Sequence, residues 1–234
     1  VSVYGNTDGR IFTLQGIRGK GWLFSGRNAM MESAEKKEIG RRTTMEDRTL
    51  LDFLAQAEKL KCNTRHSWTS SDRHESVAEH SWRLVLMAYL MKDEFPDTDI
   101  AKVMLMCAVH DLGEAVTGDI PAFEKTKADE KVEEKAVAGL FDTLPEPYHA
   151  ELTQLFAEME ERKTPEAKLY KALDKLEALI QHNEAKIATW LPLEYDLQMT
   201  YGSKECSFCT YMEHLRETVR EDSRGKIRKE SEQQ

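Results

Sequence analysis

From Glu46 to Leu215 the apolar residues of this chain recur every three or four positions, and no stretch alternates convincingly between apolar and polar. That spacing puts one apolar stripe along each of a series of helices and leaves a sheet no hydrophobic face to bury. In EDRTLLDFLAQAEKL, Leu50, Phe53, Leu54, Ala57 and Leu60 share a face. SVAEHSWRLVLMAYLM opens with Ser76 and Glu79 at capping-box spacing, which predicts a helix start at Ser76 with His80 in its first turns. The Met and aromatic residues that follow read as core. A third helix is expected from about Thr98 to Leu112, with Gly113 as its C-terminal stop. KADEKVEEKAVAGLFDTL and YHAELTQLFAEMEER come next, the former ending before Pro145. Thr164 and Pro165 then supply the N-cap and first-turn proline of a long helix carrying Leu169, Leu173, Asp174, Leu176 and Ile180. With no internal repeat, the expected fold class is all-α, an orthogonal helical bundle.

A chain of 234 residues can bury one sizeable core. Its formal net charge of -9 argues against a protein that grips a nucleic acid polymer by neutralising many phosphates. Cys62, Cys107, Cys206 and Cys209 are too few for a disulfide scaffold, and Cys107 sits in an apolar run, so a reducing, cytoplasmic setting is expected. No apolar run approaches the ~20 residues that span a bilayer, and no membrane partner is expected. The first 44 residues hold 7 of the 12 glycines, with Lys and Arg outnumbering acids 8 to 4. Residues 1–29 carry the charge of an organellar transit peptide, but their glycines weaken an amphipathic helix. The preferred reading is a poorly ordered or leader-like extension over residues 1–44, ahead of an internal start such as Met30, Met31 or Met45. A single domain over 45–222 and a charged, solvated tail over 223–234 complete the expected organisation.

CAVHDLGEAVTGDIPAF begins as the end of the apolar helix IAKVMLMCAV and at once carries His110, Asp111, Glu114 and Asp119. Buried ionisable groups are usually neutralised, paired or bound to a metal. His80 near one helix start, His110 and Asp111 at another helix end and Asp174 within a third can converge on one divalent cation. Singly, each has a plainer reading: a histidine hydrogen-bonded in the core, or Asp174 paired with Lys171 or Lys175 on its own helix.

ESVAEHSWR, AVHDLGEAVTGDIP and KALDKLEAL together resemble the metal-binding segments of the HD-domain phosphohydrolases, and more narrowly of the 5'-deoxynucleotidases. The resemblance runs from about Leu50 to Leu215. It implies a helical HD-domain bundle, usually dimeric, that uses a divalent metal to hydrolyse nucleoside 5'-monophosphates to nucleoside and phosphate. By the same resemblance His80, His110, Asp111 and Asp174 correspond to metal ligands, Glu114 and Asp119 to catalytic acids, and Arg65 and Arg73 to positions near the phosphate. The chemistry is consistent: a dication acidifies water, a nearby carboxylate relays its proton, and Arg65 offers planar donors to a phosphate dianion. Arg73 reads equally as a surface ion pair, and Asp119 as a turn residue after Gly118.

The chain departs after Arg65 from the family pattern it resembles, in which a tryptophan there or nearby typically helps to exclude a 2'-hydroxyl. Here His66 follows, with Trp68 two positions on. His66 forms part of the sugar wall, or sits in solvent as an ordinary loop residue, or Trp68 takes that place through a shifted loop. Dinuclear members of the superfamily need further histidines between the HD pair and the last aspartate; only His149 lies there, so one metal is expected, with Mn, Fe, Co, Ni and Zn all suited to nitrogen and oxygen ligands. CSFC, with His214 near, lacks a second cysteine pair and reads as a coincidence at a helix start. Beside the nucleotide phosphomonoesterase stands one alternative, a catalytically idle HD protein that binds a nucleotide or a partner around a structural metal.

Overall fold

The computed structural model describes residues 45–232; the expected N-terminal extension lies outside them. Helix α1 (Asp47–Ala57) leads through a short 3-10 turn into a hairpin of β1 (Thr64–Trp68) and β2 (His74–Ser76). Helices α2 (Val77–Leu90), α3 (Ile100–Val109), the single-turn α4 (Glu114–Thr117), α5 (Lys127–Phe141) and α6 (Tyr148–Glu161) follow. The long α7 (Pro165–Glu184) is succeeded by α8 (Pro192–Thr200), the single-turn α9 (Ser203–Cys206) and α10 (Thr210–Ser231).

The helix starts form as the local signals predict. Ser76 Oγ accepts from Glu79 N at 3.2 Å while the Glu79 carboxylate accepts from Ser76 N at 2.8 Å, so two otherwise unpaired donors at the head of α2 are satisfied reciprocally. Thr164 Oγ1 caps α7 by accepting from Ala167 N, with Pro165 at the first helical position. The third helix is shorter than expected. Asp99 caps it, and it ends at Val109. Gly113 is not its stop: with φ -57° it keeps helical backbone. Its missing side chain answers a packing need, because a Cβ there would lie 2.6 Å from Glu133 Cγ and 2.9 Å from Val137 Cγ2 of α5. The positive-φ position is Gly118, at +77°, where α4 ends and the chain turns towards Asp119.

Two apolar clusters hold the described residues together. The larger joins α2, α3, α7 and α10 through Leu84, Val103, Met106, Leu169, Leu173, Leu176 and Met212. The smaller gathers Leu60, Val77, Leu112, Ala115, Leu140 and Phe141 beneath α5. The ladder between β1 and β2 is antiparallel, with Thr64 opposite Ser76 and Trp68 opposite His74 around an irregularity. The periodicity does not predict this hairpin, because its residues are largely polar and backbone pairing makes it.

Several expected core positions face outward in the single chain. Leu50 and Leu54 of α1 are exposed, although Phe53 and Ala57 pack on the smaller cluster and Leu60 is buried. On α2, Leu84 and Ala88 are buried while Trp82, Leu86, Tyr89 and Leu90 are exposed. The segment read as a solvated tail from 223 is helical to Ser231, and Ser223 at its head is buried, its Oγ within hydrogen-bonding distance of Asn183 Oδ1 and Gln198 Oε1. All four cysteines are free thiols; Cys206 and Cys209 lie at the ends of α9 and before α10. Among the described residues no helix is long and apolar enough to cross a membrane.

Candidate active site

The side chains singled out above meet where the two clusters adjoin. On α2, His80 falls between Val77 of the smaller cluster and Leu84 of the larger; His110 and Asp111 fall between Val109, which touches both, and Leu112 of the smaller. Asp174 comes in from α7, flanked by buried Leu173 and Leu176. His80 Nε2 lies 3.4 Å and His110 Nε2 3.8 Å from Asp174 Oδ1, and His110 Nε2 lies 3.0 Å from Asp111 Oδ2. The two imidazole centroids are 5.3 Å apart.

Each ring is turned by its other nitrogen. His110 Nδ1 donates to the Cys107 carbonyl at 3.0 Å, and His80 Nδ1 donates to Glu177 Oε2. Glu177 is itself held by Arg83 Nε at 2.7 Å, while the same guanidinium grips Gln181 and Glu184. Asp174 satisfies both readings of its sequence context, since Oδ2 pairs with Lys171 at 2.8 Å while Oδ1 faces the histidines.

The inward atoms His80 Nε2, His110 Nε2 and Asp111 Oδ2 are buried with no hydrogen-bond partner, and His80, His110 and Asp111 each offer a ligand atom within 4.8 Å of the others. Leaving three such atoms unpaired is expensive unless something charged completes them. A divalent cation fits this donor set of two imidazole nitrogens and carboxylate oxygens, with the outer nitrogens anchored as metal-binding histidines require.

The electrostatics are those of a site short of positive charge. Burial works against the charge of Asp111, yet His110, His80 and Arg65 hold its carboxyl well below the usual range. Burial also resists the charge of Asp174, and Lys171 and Lys175 hold it low all the same. Glu114 is the opposite case: burial first, then Asp111 and Asp119, push it up to about 10. Its Oε2 is buried and unpaired. Burial and Asp111 raise Asp119 as well, against Arg65.

Arg65 on β1 reaches this group, with Nη1 3.6 Å from Asp111 Oδ2 and Nε 3.4 Å from Glu75 Oε2. From there a cavity of about 220 Å³ opens, bounded by Arg65, His66, Asp119, Phe123, Leu179, His182, Glu194 and Leu197. His66 is a wall residue, its ring edge-on to Phe123 at 5.6 Å between centroids. Trp68 is not in that wall; it packs on His74 at 4.1 Å on the other side of the hairpin. Arg73 does not join the cluster either. It forms a bidentate pair with Glu79 at 2.6 and 2.8 Å on an exposed surface, and it is Glu75, not Arg73, that turns in towards Arg65. His149 sits at the surface beside Asp142 and Glu146, away from the histidine pair.

Glu177, Arg83 and Glu194 went unassigned in the sequence reading. For Glu177 a signal exists: it stands three residues after Asp174, on the same helix face one turn on.

A helical bundle that brings an HD dipeptide, a preceding histidine and a later aspartate to one buried point belongs to the class of metal-dependent hydrolases. Residues 57–230 match the HD domain family, and the chain belongs to that family. It is 36% identical over 141 residues to the 5'-deoxynucleotidase HDDC2 of Bos taurus, covering 58% of this chain and 68% of that protein. The protein of the same name from Dictyostelium discoideum is 33% identical over 57% of this chain and 76% of its own length. Among solved structures, a predicted metal-dependent phosphohydrolase from Magnetospirillum magnetotacticum superposes with a TM-score of 0.65 at 28% identity, over 76% of this chain and 93% of that one. The chain is a hydrolase of this family.

Proposed function

We propose that this enzyme hydrolyses (deoxy)nucleoside 5'-monophosphates to nucleoside and phosphate with the help of one divalent metal ion. The observation that carries the reading is the buried, unpaired trio of His80 Nε2, His110 Nε2 and Asp111 Oδ2 beside Arg65, which itself lines the cavity of about 220 Å³. The relatives named as 5'-deoxynucleotidases support the choice of substrate.

His80, His110, Asp111 and Asp174 hold the metal, whose nitrogen and oxygen donors suit Mn, Fe, Co, Ni or Zn. When bound, the cation supplies a Lewis acid that acidifies water near neutrality. Arg65 binds the phosphoryl oxygens. Water adds to phosphorus, the bond from phosphorus to O5' breaks, and the departing O5' takes up a proton. Glu114 and Asp119, both raised by burial and by Asp111, are the acids placed to handle those protons. His66 borders the part of the substrate next to the phosphate. Arg73, paired with Glu79, has no part in this scheme.

The enzyme works as a homodimer in a reducing, cytoplasmic setting; the exposed apolar face of α2 supports the first statement and the four free thiols the second. The test of the activity is phosphate release from nucleoside mono-, di- and triphosphates, each with a panel of divalent metals. Turnover confined to monophosphates, lost on chelation and restored by a transition metal, is expected. Metal binding without turnover of any nucleotide identifies an idle HD protein instead.

A further inference from the structure

The two oxygens of Asp174 face two different kinds of neighbour. Oδ1 lies 3.4 Å from His80 Nε2 and 3.8 Å from His110 Nε2, on the side of the histidine pair. Oδ2 is held by Lys171 Nζ at 2.8 Å, from one turn earlier on α7. A pair at this spacing is usually a feature of a solvated helix face. Here the Lys171 side chain is only 17% exposed and that of Asp174 12%. An ammonium group brought so far out of water is costly unless a carboxylate meets it, and removing either partner leaves the other charge unmatched. Oδ2 is therefore committed to Lys171, and Oδ1 alone is left for the site.

Lys175, the residue after Asp174, does not duplicate that role. Its Nζ donates to the Tyr201 hydroxyl at 2.7 Å, lies 4.8 Å from the centroid of the same ring, and stands 3.6 Å from Asp174 Oδ2. Lys175 belongs first to Tyr201, and Lys171 to Asp174.

How many oxygens a carboxylate can offer decides which cations a site accepts. Calcium takes about six to eight oxygen ligands and often draws two of them from one carboxylate. Transition metals accept fewer donors and favour imidazole nitrogen. A site of two imidazoles in which one aspartate has an oxygen withheld therefore serves the second group and starves the first. We infer that Lys171 is a positioning residue that restricts Asp174 to one metal-facing oxygen and thereby sets the preference of the site for transition metals over calcium. The inference rests on the metal-centre reading above, and it concerns binding, so no nucleotide enters its test.

The experiment is titration calorimetry of the full chain, stripped of metal, with cobalt(II) and separately with calcium. Wild type is expected to bind cobalt the more tightly. Lys171→Met puts an apolar chain of similar length in the same space and releases Oδ2. The cobalt-to-calcium affinity ratio is then expected to fall by about tenfold or more, with cobalt held less tightly and calcium more tightly. Lys171→Arg keeps a cation within reach of Oδ2 and is expected to retain the wild-type ratio. Cooperative thermal melts of all three chains show that the ratio reports the site and not folding. An unchanged ratio in Lys171→Met, including equal weakening of both cations, marks a residue that only supports the fold and overturns the inference. A fall as large in Lys171→Arg as in Lys171→Met overturns it as well, since packing and not the commitment of Oδ2 is then at work. Wild type that holds calcium as tightly as cobalt overturns it without any variant. Wild type that binds neither cation removes the metal-centre reading itself.

Discussion

A histidine ligates a cation only through a neutral nitrogen turned towards it, and Glu177 is what turns His80. The carboxylate accepts from Nδ1 and is fixed in turn by Arg83, so the orientation of Nε2 depends on a residue that never faces the cation site. Glu177→Gln is expected to weaken binding of a divalent metal by about 10- to 100-fold, measured by titration calorimetry; unaltered affinity contradicts the orienting role. The division of labour within the site is tested by a pair of variants. Asp174→Ala should lose metal, whereas Glu114→Ala should keep it while turnover drops by roughly 100-fold or more. Equal metal loss in both, read by elemental analysis, refutes the assignment. The positions of His80, His110, Asp111 and Asp174 were legible in the sequence because ligand types at helix ends and amid apolar runs are conspicuous. Glu177 was not, since a glutamate in KALDKLEAL looks like any solvated helix residue until the fold shows that its face is inward. Arg73 and Glu75 show the same limit: Arg73 lies in the bend before β2 and pairs with Glu79 at the surface, whereas Glu75 within the strand is buried towards Arg65, and only the folded hairpin decides which enters the site.

At the level of the helices and the hairpin, what is determined locally could be read and what is determined by a neighbour could not. The starts of α2 and α7 follow from caps within four residues, and both form as expected. Gly113 looked like a stop, but its reason lies twenty residues on, in Glu133 and Val137. The cap of α2 matters beyond stability because His80 is the fourth residue of that helix. Ser76→Ala is expected to lower folding stability by about 1 kcal/mol in chemical denaturation. Glu79, on the same cap, makes that stability pH-dependent. Its hydrogen bonds with Arg73, and those with Ser76, lower its pKa from 4.5 to about 2 against the weaker pull of burial. A depressed carboxylate contributes fully above its unfolded value and loses its contribution as pH falls towards the folded one. The pair is largely exposed, which screens the effect to a modest size. Stability should therefore decline more gently between pH 5 and about pH 3 in Glu79→Gln than in wild type, and identical acid limbs in thermal melts of the two proteins argue against it.

On the scale of the molecule, the site sits where two apolar clusters adjoin, and the proposed ligands come from helices packed in both. What the two clusters leave over is the outer face of α2. Trp82, Leu86, Tyr89 and Leu90 follow one another at helical spacing, Trp82 and Leu90 are 65% and 71% exposed, and Leu105 of α3 is exposed as well. Periodicity alone counted these residues as core; it detects an apolar face without telling which chain covers it. Each such side chain gains about 1.5–3 kcal/mol when fully buried, so a second copy laid along this face has ample driving force, and a two-fold arrangement lets the same stripe serve both partners. Light scattering on the full chain at micromolar concentration should give twice the monomer mass. Trp82→Asp combined with Leu90→Asp should give the monomer, with the metal affinity of the site preserved because its proposed ligands all belong to one chain. A wild-type monomer refutes the dimer outright, and a variant that remains dimeric moves the interface elsewhere, to the exposed leucines of α1.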